Sequence, residues 1–126
     1  MSERDTTIIW EMPFKSQEFA NGPKVETHFD RLSLLLDYEI ETGEYKWLRL
    51  SFSRVIAFSF TAFGFCTVDQ IESYDRLVKV EKSPWLEGLF SRAMTKPSTN
   101  TNHYRIFFDE IGCYDIAAES FDMTDG

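Results

Sequence analysis

The sequence predicts an α+β domain made mainly of antiparallel strands, which form a curved sheet or a partly open β-barrel with one short amphipathic helix. Three observations support this class. Phenylalanine accounts for 12 of the 126 residues, and aromatic side chains suit the pleated, half-buried surface of a sheet. Several segments alternate apolar and polar residues with the period of two that is typical of strands. A single segment, residues 84–94, repeats its apolar residues at helical spacing instead.

The first half of the chain is expected to contain two extended segments. The first strand is predicted at Thr6–Phe14, where Pro13 lacks an amide donor and marks an edge or an end. A long extended segment follows at Lys24–Ile40. Its apolar residues change from odd to even positions near residues 30–31, so we expect a bulge or a bend there. Glu41–Glu44 has the composition of a hairpin turn, in which glycine supplies a positive φ.

The strongest strand pattern is the return segment, Tyr45–Phe65, which places large apolar residues on one face and mostly small or polar residues on the other. Strands usually have about 3–10 residues, so we expect this one to bend or break near Ser53 and Arg54, or near Gly64. Arg54 falls on the apolar face. Three explanations are open for this arginine: it turns outward at such a break, it extends to solvent at the sheet rim, or it binds a partner.

A helix is predicted at residues 84–94, after a polar connection at 69–75 and a short strand at 76–81. Ser83 can cap the helix, and Pro84 suits its first position, where a missing amide has no cost. Trp85 begins the apolar stripe, so we expect it in the core. Residues 95–102 have the composition of a mobile loop.

The chain is expected to close with a hairpin over His103–Phe121, with its turn at Asp109–Gly112. If Asp109 pairs with Cys113, one face is apolar and consists of Tyr104, Ile106, Phe108, Tyr114, Ile116 and Ala118. The other face would pair His103 with Glu119 and set Arg105 diagonal to Asp115, which we interpret as solvated charge pairs. We expect a single domain over 1–126, with 1–5 and 122–126 frayed.

No catalytic or metal-binding pattern is recognised. His28 and Asp30 share a strand face, but no second pair of ligands follows at a metal-site spacing. Neither a Gly-x-Ser-x-Gly motif nor a glycine-rich phosphate loop occurs. Cys66 and Cys113 lie in apolar stretches and are predicted to be free thiols, with Cys113 far from His103. We therefore expect no enzymatic activity, no cofactor and no metal.

The charge balance restricts the class of partner. The chain has 13 Lys and Arg against 21 Asp and Glu, a net charge of −8, which argues against nucleic acids and anionic membranes. No apolar run reaches the roughly 20 residues of a membrane span, and the first residues lack a secretory signal pattern. We expect a cytoplasmic protein.

An aromatic and acidic neighbourhood around the first hairpin is the candidate surface for a protein partner, because such residues are frequent in binding hot spots and a basic protein would be attracted to them. The candidate residues are Tyr38, Glu41, Glu44, Tyr45, Trp47 and Arg54. The alternative is a barrel-like protein that holds an apolar small molecule, which the aromatic strands also favour. A core without a cavity near about 300 Å³ would contradict that alternative.

A family resemblance points the same way. The segment Ser83-Pro84-Trp85-Leu86, the polar loop after it and the stretch HYRIFFDEIGCYDIAAE at residues 103–119 resemble the C-terminal part of small uncharacterised bacterial proteins. Some of these are encoded beside secreted or contact-dependent toxins and are regarded as immunity proteins. The resemblance covers about the last third of the chain and implies a non-enzymatic inhibitor of a cognate toxin. It implies no particular binding residues.

Overall fold

The computed structural model describes residues 5–96 and 98–126. Its strands are β1 (Thr6–Glu11), β2 (Lys24–His28), β3 (Arg31–Glu39), β4 (Tyr45–Ser53), β5 (Ala57–Ala62), β6 (Arg76–Val80), β7 (Asn102–Phe108), β8 (Gly112–Ala118) and β9 (Ser120–Asp125). Two helices, α1 (Val68–Ile71) and α2 (Pro84–Arg92), interrupt them. All named strand pairs are antiparallel, which confirms the predicted α+β class.

The described strands form two open sheets rather than a closed barrel. One sheet has five strands in the order β1-β6-β7-β8-β5, and the other has four in the order β2-β3-β4-β9. The core lies between them, where Leu34, Leu50 and Phe52 of the second sheet belong to one buried cluster with Ile106 and Ile116 of the first. No described helix is both long and apolar enough to cross a membrane.

The closing hairpin has the predicted faces but a different register. All six residues of the predicted apolar face are buried in the core. Phe107, not Asp109, pairs with Cys113, because the turn is a three-residue loop with Glu110 at φ 59° and Gly112 directly opposite Phe108. A slip of two residues leaves every side chain on its expected face. It also changes the predicted pairs, since Arg105 lies directly opposite Asp115 and His103 lies opposite Ala117.

The segment Lys24–Ile40 is a hairpin of two strands, which corrects the predicted single extended segment with a bulge or a bend near residues 30–31. The chain reverses in a two-residue turn at Phe29 and Asp30, with Phe29 at φ 53°. Val25 then pairs with Leu34, so odd positions of β2 share a face with even positions of β3. The change in parity near residues 30–31 was therefore the signature of a tight turn.

The predicted break near Ser53 and Arg54 is confirmed. β4 ends at Ser53, and β5 begins at Ala57 in the other sheet. Arg54 adopts φ 57° and is exposed, while Val55 packs against the core in its place. Arg54 therefore turns outward at the crossover between the sheets.

The last residues extend the four-stranded sheet, which corrects the predicted fraying of 122–126. β9 pairs with β4 and places Phe121 opposite Phe52 and Met123 opposite Leu50, so apolar alternation holds this strand in place. Residues 1–4, which were predicted to be frayed together with Asp5, lie outside the described residues. Pro97 of the predicted mobile loop also lies outside them.

The helices follow local signals. Ser83 caps α2 as predicted, because its Oγ accepts the N–H of Leu86 at 3.0 Å, and Pro84 occupies the first position. The helix ends at Arg92, two residues before the predicted end. The predicted connection at 69–75 begins within α1, whose start is fixed by a reciprocal capping box between Thr67 and Gln70.

Candidate functional site

Three of the six predicted partner-binding residues lie in the β3–β4 turn or at the start of β4. Glu41 and Glu44 are exposed in a turn closed by backbone hydrogen bonds among residues 40, 43 and 44. Tyr45 is 48% exposed, and the exposed Glu39 lies opposite it. Within the described part of the chain, none of these three carboxylates forms an ion pair. We call Glu39, Glu41, Glu44 and Tyr45 the acidic tip.

The other three predicted residues are distributed differently. Trp47 is half-buried next to the acidic tip, with the Lys24 ammonium 4.8 Å from its ring centre. Tyr38 turns away and stacks on Phe14 at a centroid distance of 4.3 Å. Arg54 follows the far end of β4, a strand of nine residues, and therefore lies about 30 Å from the tip. The structure thus brings Glu41, Glu44, Tyr45 and Trp47 together and leaves Tyr38 and Arg54 apart.

A buried polar network on the outer face of the five-stranded sheet was missed by the sequence analysis. Ser83 Oγ lies 2.7 Å from His103 Nδ1, and His103 Nε2 lies 2.6 Å from Asp115 Oδ1. The same carboxylate accepts hydrogen bonds from Arg105 Nε at 2.7 Å and Gln70 Nε2 at 3.1 Å. Asp115 is only 5% exposed, which corrects its assignment to a solvated surface.

Electrostatics keep this network together. Burial alone would raise the pKa of Asp115, but the hydrogen bond from His103 and the charge of Arg105 outweigh burial and lower that pKa below its ordinary value. The ionised carboxylate only accepts hydrogen bonds, so His103 donates through Nε2–H. Nδ1 of the same ring shares a hydrogen bond with Ser83 Oγ, and that oxygen also accepts the N–H of Leu86. Each of these atoms therefore has a partner.

The order serine, histidine and aspartate is that of a hydrolase triad, so the role of the serine decides what the network can do. Ser83 is 5% exposed, and its oxygen already caps α2. The next residue is Pro84, which has no N–H to stabilise an oxyanion, whereas that donor follows the nucleophile in the α/β-hydrolase arrangement. This arrangement favours a structural role, in which the network fastens α1 and α2 to β7 and β8.

The sequence contains one signal that could have revealed the network. Outward positions of β7 and β8 include Phe107, Cys113 and Ala117 beside the charged residues, and all three are buried. Such residue types are typical of a covered face rather than a solvated one. Phe107 is covered by the rings of Phe63 and Tyr74, with centroid distances of 6.0 and 5.8 Å.

The two cysteines are free, as predicted. Cys113 is buried, and burial together with the nearby charge of Asp115 raises the pKa of its thiol. Burial also raises the pKa of Cys66, which is half-buried. Among the described residues, no group of three or more His, Cys, Asp or Glu is arranged to hold a metal ion.

A shallow groove runs along the outer face of β6 beside the network. One cavity of about 370 Å³ is lined by residues that include Ile8, Arg76 and Val78. An adjoining cavity of about 170 Å³ extends to Ser83, Trp85 and His103. The Trp85 ring lies 4.7 Å from the His103 ring and is half-buried, so Trp85 covers the network instead of filling the sandwich core as predicted.

The strand β5 exposes a row of apolar side chains. Phe58 and Phe60 pair with the core residues Ile116 and Tyr114, yet they remain 44% and 46% exposed. Phe65 is 83% exposed just beyond the strand. We call the exposed large residues from 56 to 65 the aromatic edge: Ile56, Phe58, Phe60, Phe63 and Phe65.

Comparisons with protein-family models, curated proteins and solved structures found no match for this chain.

Proposed function

We propose that this chain is a non-enzymatic protein-interaction module that binds a basic protein partner through the acidic tip, as an immunity protein binds and inhibits a cognate toxin. The observation that carries the proposal is the cluster of Glu39, Glu41 and Glu44, exposed at a turn and unpaired with any described cation, beside the exposed ring of Tyr45. Tyrosine is favoured at binding hot spots, and free carboxylates complement a basic surface.

Long-range charge supports a basic partner. The chain has a net charge of −8, so a cationic partner would be steered toward it and would associate about 10–10³ times faster than without steering. Trp47 and Lys24 pack against each other next to the tip, which gives the turn a firm base. A preorganised surface loses less conformational entropy when it binds.

The non-enzymatic part of the proposal is supported by the state of the network. Ser83, the only hydroxyl or thiol group in hydrogen-bond contact with a described histidine, is engaged both by His103 and by the first turn of α2. Cys113 and His103 lie at opposite ends of their hairpin, opposite Phe107 and Ala117 respectively. Neither residue pair offers an accessible nucleophile together with a free base.

The test is capture of a partner with matched charge variants. The wild-type chain, Glu41→Lys/Glu44→Lys and a control, Glu11→Lys/Glu18→Lys, are immobilised and exposed to a lysate of the source organism at low and high salt. Both double variants change the net charge equally, and the control residues are exposed and lie outside the β3–β4 turn. We expect a basic protein to be retained by the wild type and the control and lost by the tip variant.

The captured protein is then purified and titrated against the same three chains. We expect the tip variant to bind at least roughly tenfold more weakly, a difference of about 1.4 kcal/mol, and the association rate to fall with added salt. If the partner is a toxin, the wild-type chain should inhibit it. Equal binding by the wild type and the tip variant, or an association rate insensitive to salt, would contradict the proposal.

A small-molecule binder is the second candidate, and the observation that favours it is the groove along β6. The cavity of about 370 Å³ combines the apolar Ile8 and Val78 with the cation of Arg76 and the carboxylates of Asp69 and Glu72. Its volume lies in the range of ligand pockets. A ligand that raises the melting temperature of the wild type but not of Val78→Lys would favour this candidate.

A further inference from the structure

The strand β5 is an edge that lacks the usual protection against pairing. β8 flanks it on one side, and no described strand flanks it on the other. Its sequence, AFSFTA, has no charged residue, proline or glycine. Charged side chains occur on the other three edges, which are β1 with Glu11, β2 with Lys24 and Glu26, and β9 with Asp122 and Asp125. Natural edge strands are normally protected in that way, so β5 is the exception that needs a partner.

Backbone groups of β5 are oriented to receive another strand. Phe63 continues the register of β5, and its N–H donates to the carbonyl of Ile111 at 3.1 Å. Because alternate residues direct their backbone polar groups to opposite sides of a strand, the peptide groups of Phe58 and Phe60 point away from β8. An added antiparallel strand would satisfy these groups and cover the rings of the aromatic edge.

Charge at the two ends of β5 identifies the strand that fits. Arg54 lies just before β5, is exposed, and forms no ion pair with any described residue. Glu110 lies at the other end, next to Ile111, whose carbonyl accepts from Phe63. If two copies pair antiparallel, each Arg54 approaches the Glu110 end of the other copy. A parallel arrangement would instead bring like charges together.

We infer that β5 is the interface of a symmetric homodimer, in which two copies pair antiparallel to form a continuous ten-stranded sheet. The twofold axis lies at Phe60, so Phe60 faces its own symmetry mate and Phe58 faces Ala62 of the other copy. The net charge of −8 on each copy opposes association, but salt screens distant charges beyond about 8 Å, and β5 itself is uncharged. This inference does not depend on the acidic tip.

The first test measures mass in solution by sedimentation equilibrium. We expect the wild-type chain to sediment at twice its mass of 14.8 kDa at a concentration of about 100 µM. Phe60→Lys and Phe58→Lys place charge at the interface and should each yield monomers. Val25→Lys, on the edge strand β2 of the other sheet, is the matched control and should remain dimeric. Circular dichroism and cooperative unfolding show whether each variant is folded.

A charge exchange tests the antiparallel arrangement. Arg54→Glu and Glu110→Arg should each weaken the dimer several-fold, and the double variant Arg54→Glu/Glu110→Arg should recover most of the loss, because the attractive pair is restored in reverse. A monomeric wild type at about 100 µM, a dimer that persists in both folded lysine variants, or a double variant as weak as the two single changes combined would overturn the inference.

Discussion

Asp115→Ala tests how the buried network stabilises the fold. The substitution removes a carboxylate that accepts hydrogen bonds from His103, Arg105 and Gln70. The Arg105 side chain is only 15% exposed, so its charge would stay largely buried without a counter-charge. Breaking a buried ion pair in this way costs about 3–5 kcal/mol. Because some water can reach Arg105, we expect the lower end, a loss of about 3 kcal/mol in the free energy of unfolding.

The loss is to be measured by urea unfolding, followed through tryptophan fluorescence and circular dichroism. Trp85 lies beside His103, so the fluorescence reports directly on the region that changes. The midpoint should fall while the slope of the free energy against urea stays constant. Asp122→Ala is the matched control, because Asp122 is exposed on β9 and forms no ion pair with a described residue. Its effect should stay within about 0.5 kcal/mol.

A double-mutant cycle separates the ion pair from simple loss of packing. Arg105→Met keeps much of the side-chain volume but removes the charge. We expect Asp115→Ala/Arg105→Met to be less destabilised than the sum of the two single changes by about 1–3 kcal/mol, because no buried charge is left unpaired. Additive effects, or an Asp115→Ala variant as stable as Asp122→Ala, would refute the argument that the network stabilises this face.

Three further predictions concern pH, backbone and thiol chemistry. The pKa of Asp115 is lowered on folding, so the stability that this carboxylate contributes is complete above its unfolded pKa of about 3.9 and is lost as the pH falls through its folded pKa. Urea unfolding between about pH 6 and pH 2 should show this loss of stability. In Asp115→Asn the loss over the same pH range should be smaller. Gly112→Ala should lower the melting temperature strongly, because the added Cβ would lie 2.2 Å from the Thr61 carbonyl oxygen and the residue has φ 145°. Gly64→Ala is the control and should be nearly neutral, because no neighbouring atom lies within 4 Å of the position of its Cβ. Cys113 is buried, and burial raises the pKa of its thiol. Iodoacetamide at neutral pH should therefore leave this thiol unmodified in the native chain and modify it after unfolding, which mass spectrometry can verify.

Local chemistry was sufficient to predict several elements of the fold. Ser83 and Pro84 begin α2 because a hydroxyl cap and a residue without an N–H both suit a helix start. Gly43 adopts φ 88° in the predicted turn between β3 and β4. These features depend on residues that are adjacent in sequence. The hairpin at Phe29 escaped prediction because a phenylalanine at φ 53° is uncommon in a two-residue turn.

Distant pairings were beyond the reach of the sequence pattern. β9 is held by residues about 70 positions earlier in β4, and nothing local distinguishes it from a frayed tail. The network joins Gln70, Ser83, His103 and Asp115, which are far apart in the sequence, and it depends on both helices lying against the sheet. Glu41, Glu44 and Tyr45 of the acidic tip could be identified from the turn composition around them. Glu39 was not among the candidates, and Tyr38 was misplaced because its face depends on Phe14.

The acidic tip and the aromatic edge can act together, because the tip joins β3 and β4 of the four-stranded sheet and the aromatic edge lies along β5 of the other sheet. The tip precedes the nine residues of β4 and the crossover to β5 follows them, so about 30 Å lies between the tip and the start of β5. None of the four tip residues belongs to β5, so a dimer formed through β5 leaves their side chains outside the pairing strand. A partner with two equivalent sites would then bind with avidity, while a monomeric partner would not. Phe60→Lys should consequently weaken binding to a dimeric partner and leave binding to a monomeric partner unchanged, whereas Glu41→Lys/Glu44→Lys should weaken both. If Phe60→Lys weakened binding to a monomeric partner as much as binding to a dimeric partner, the two surfaces would form one site.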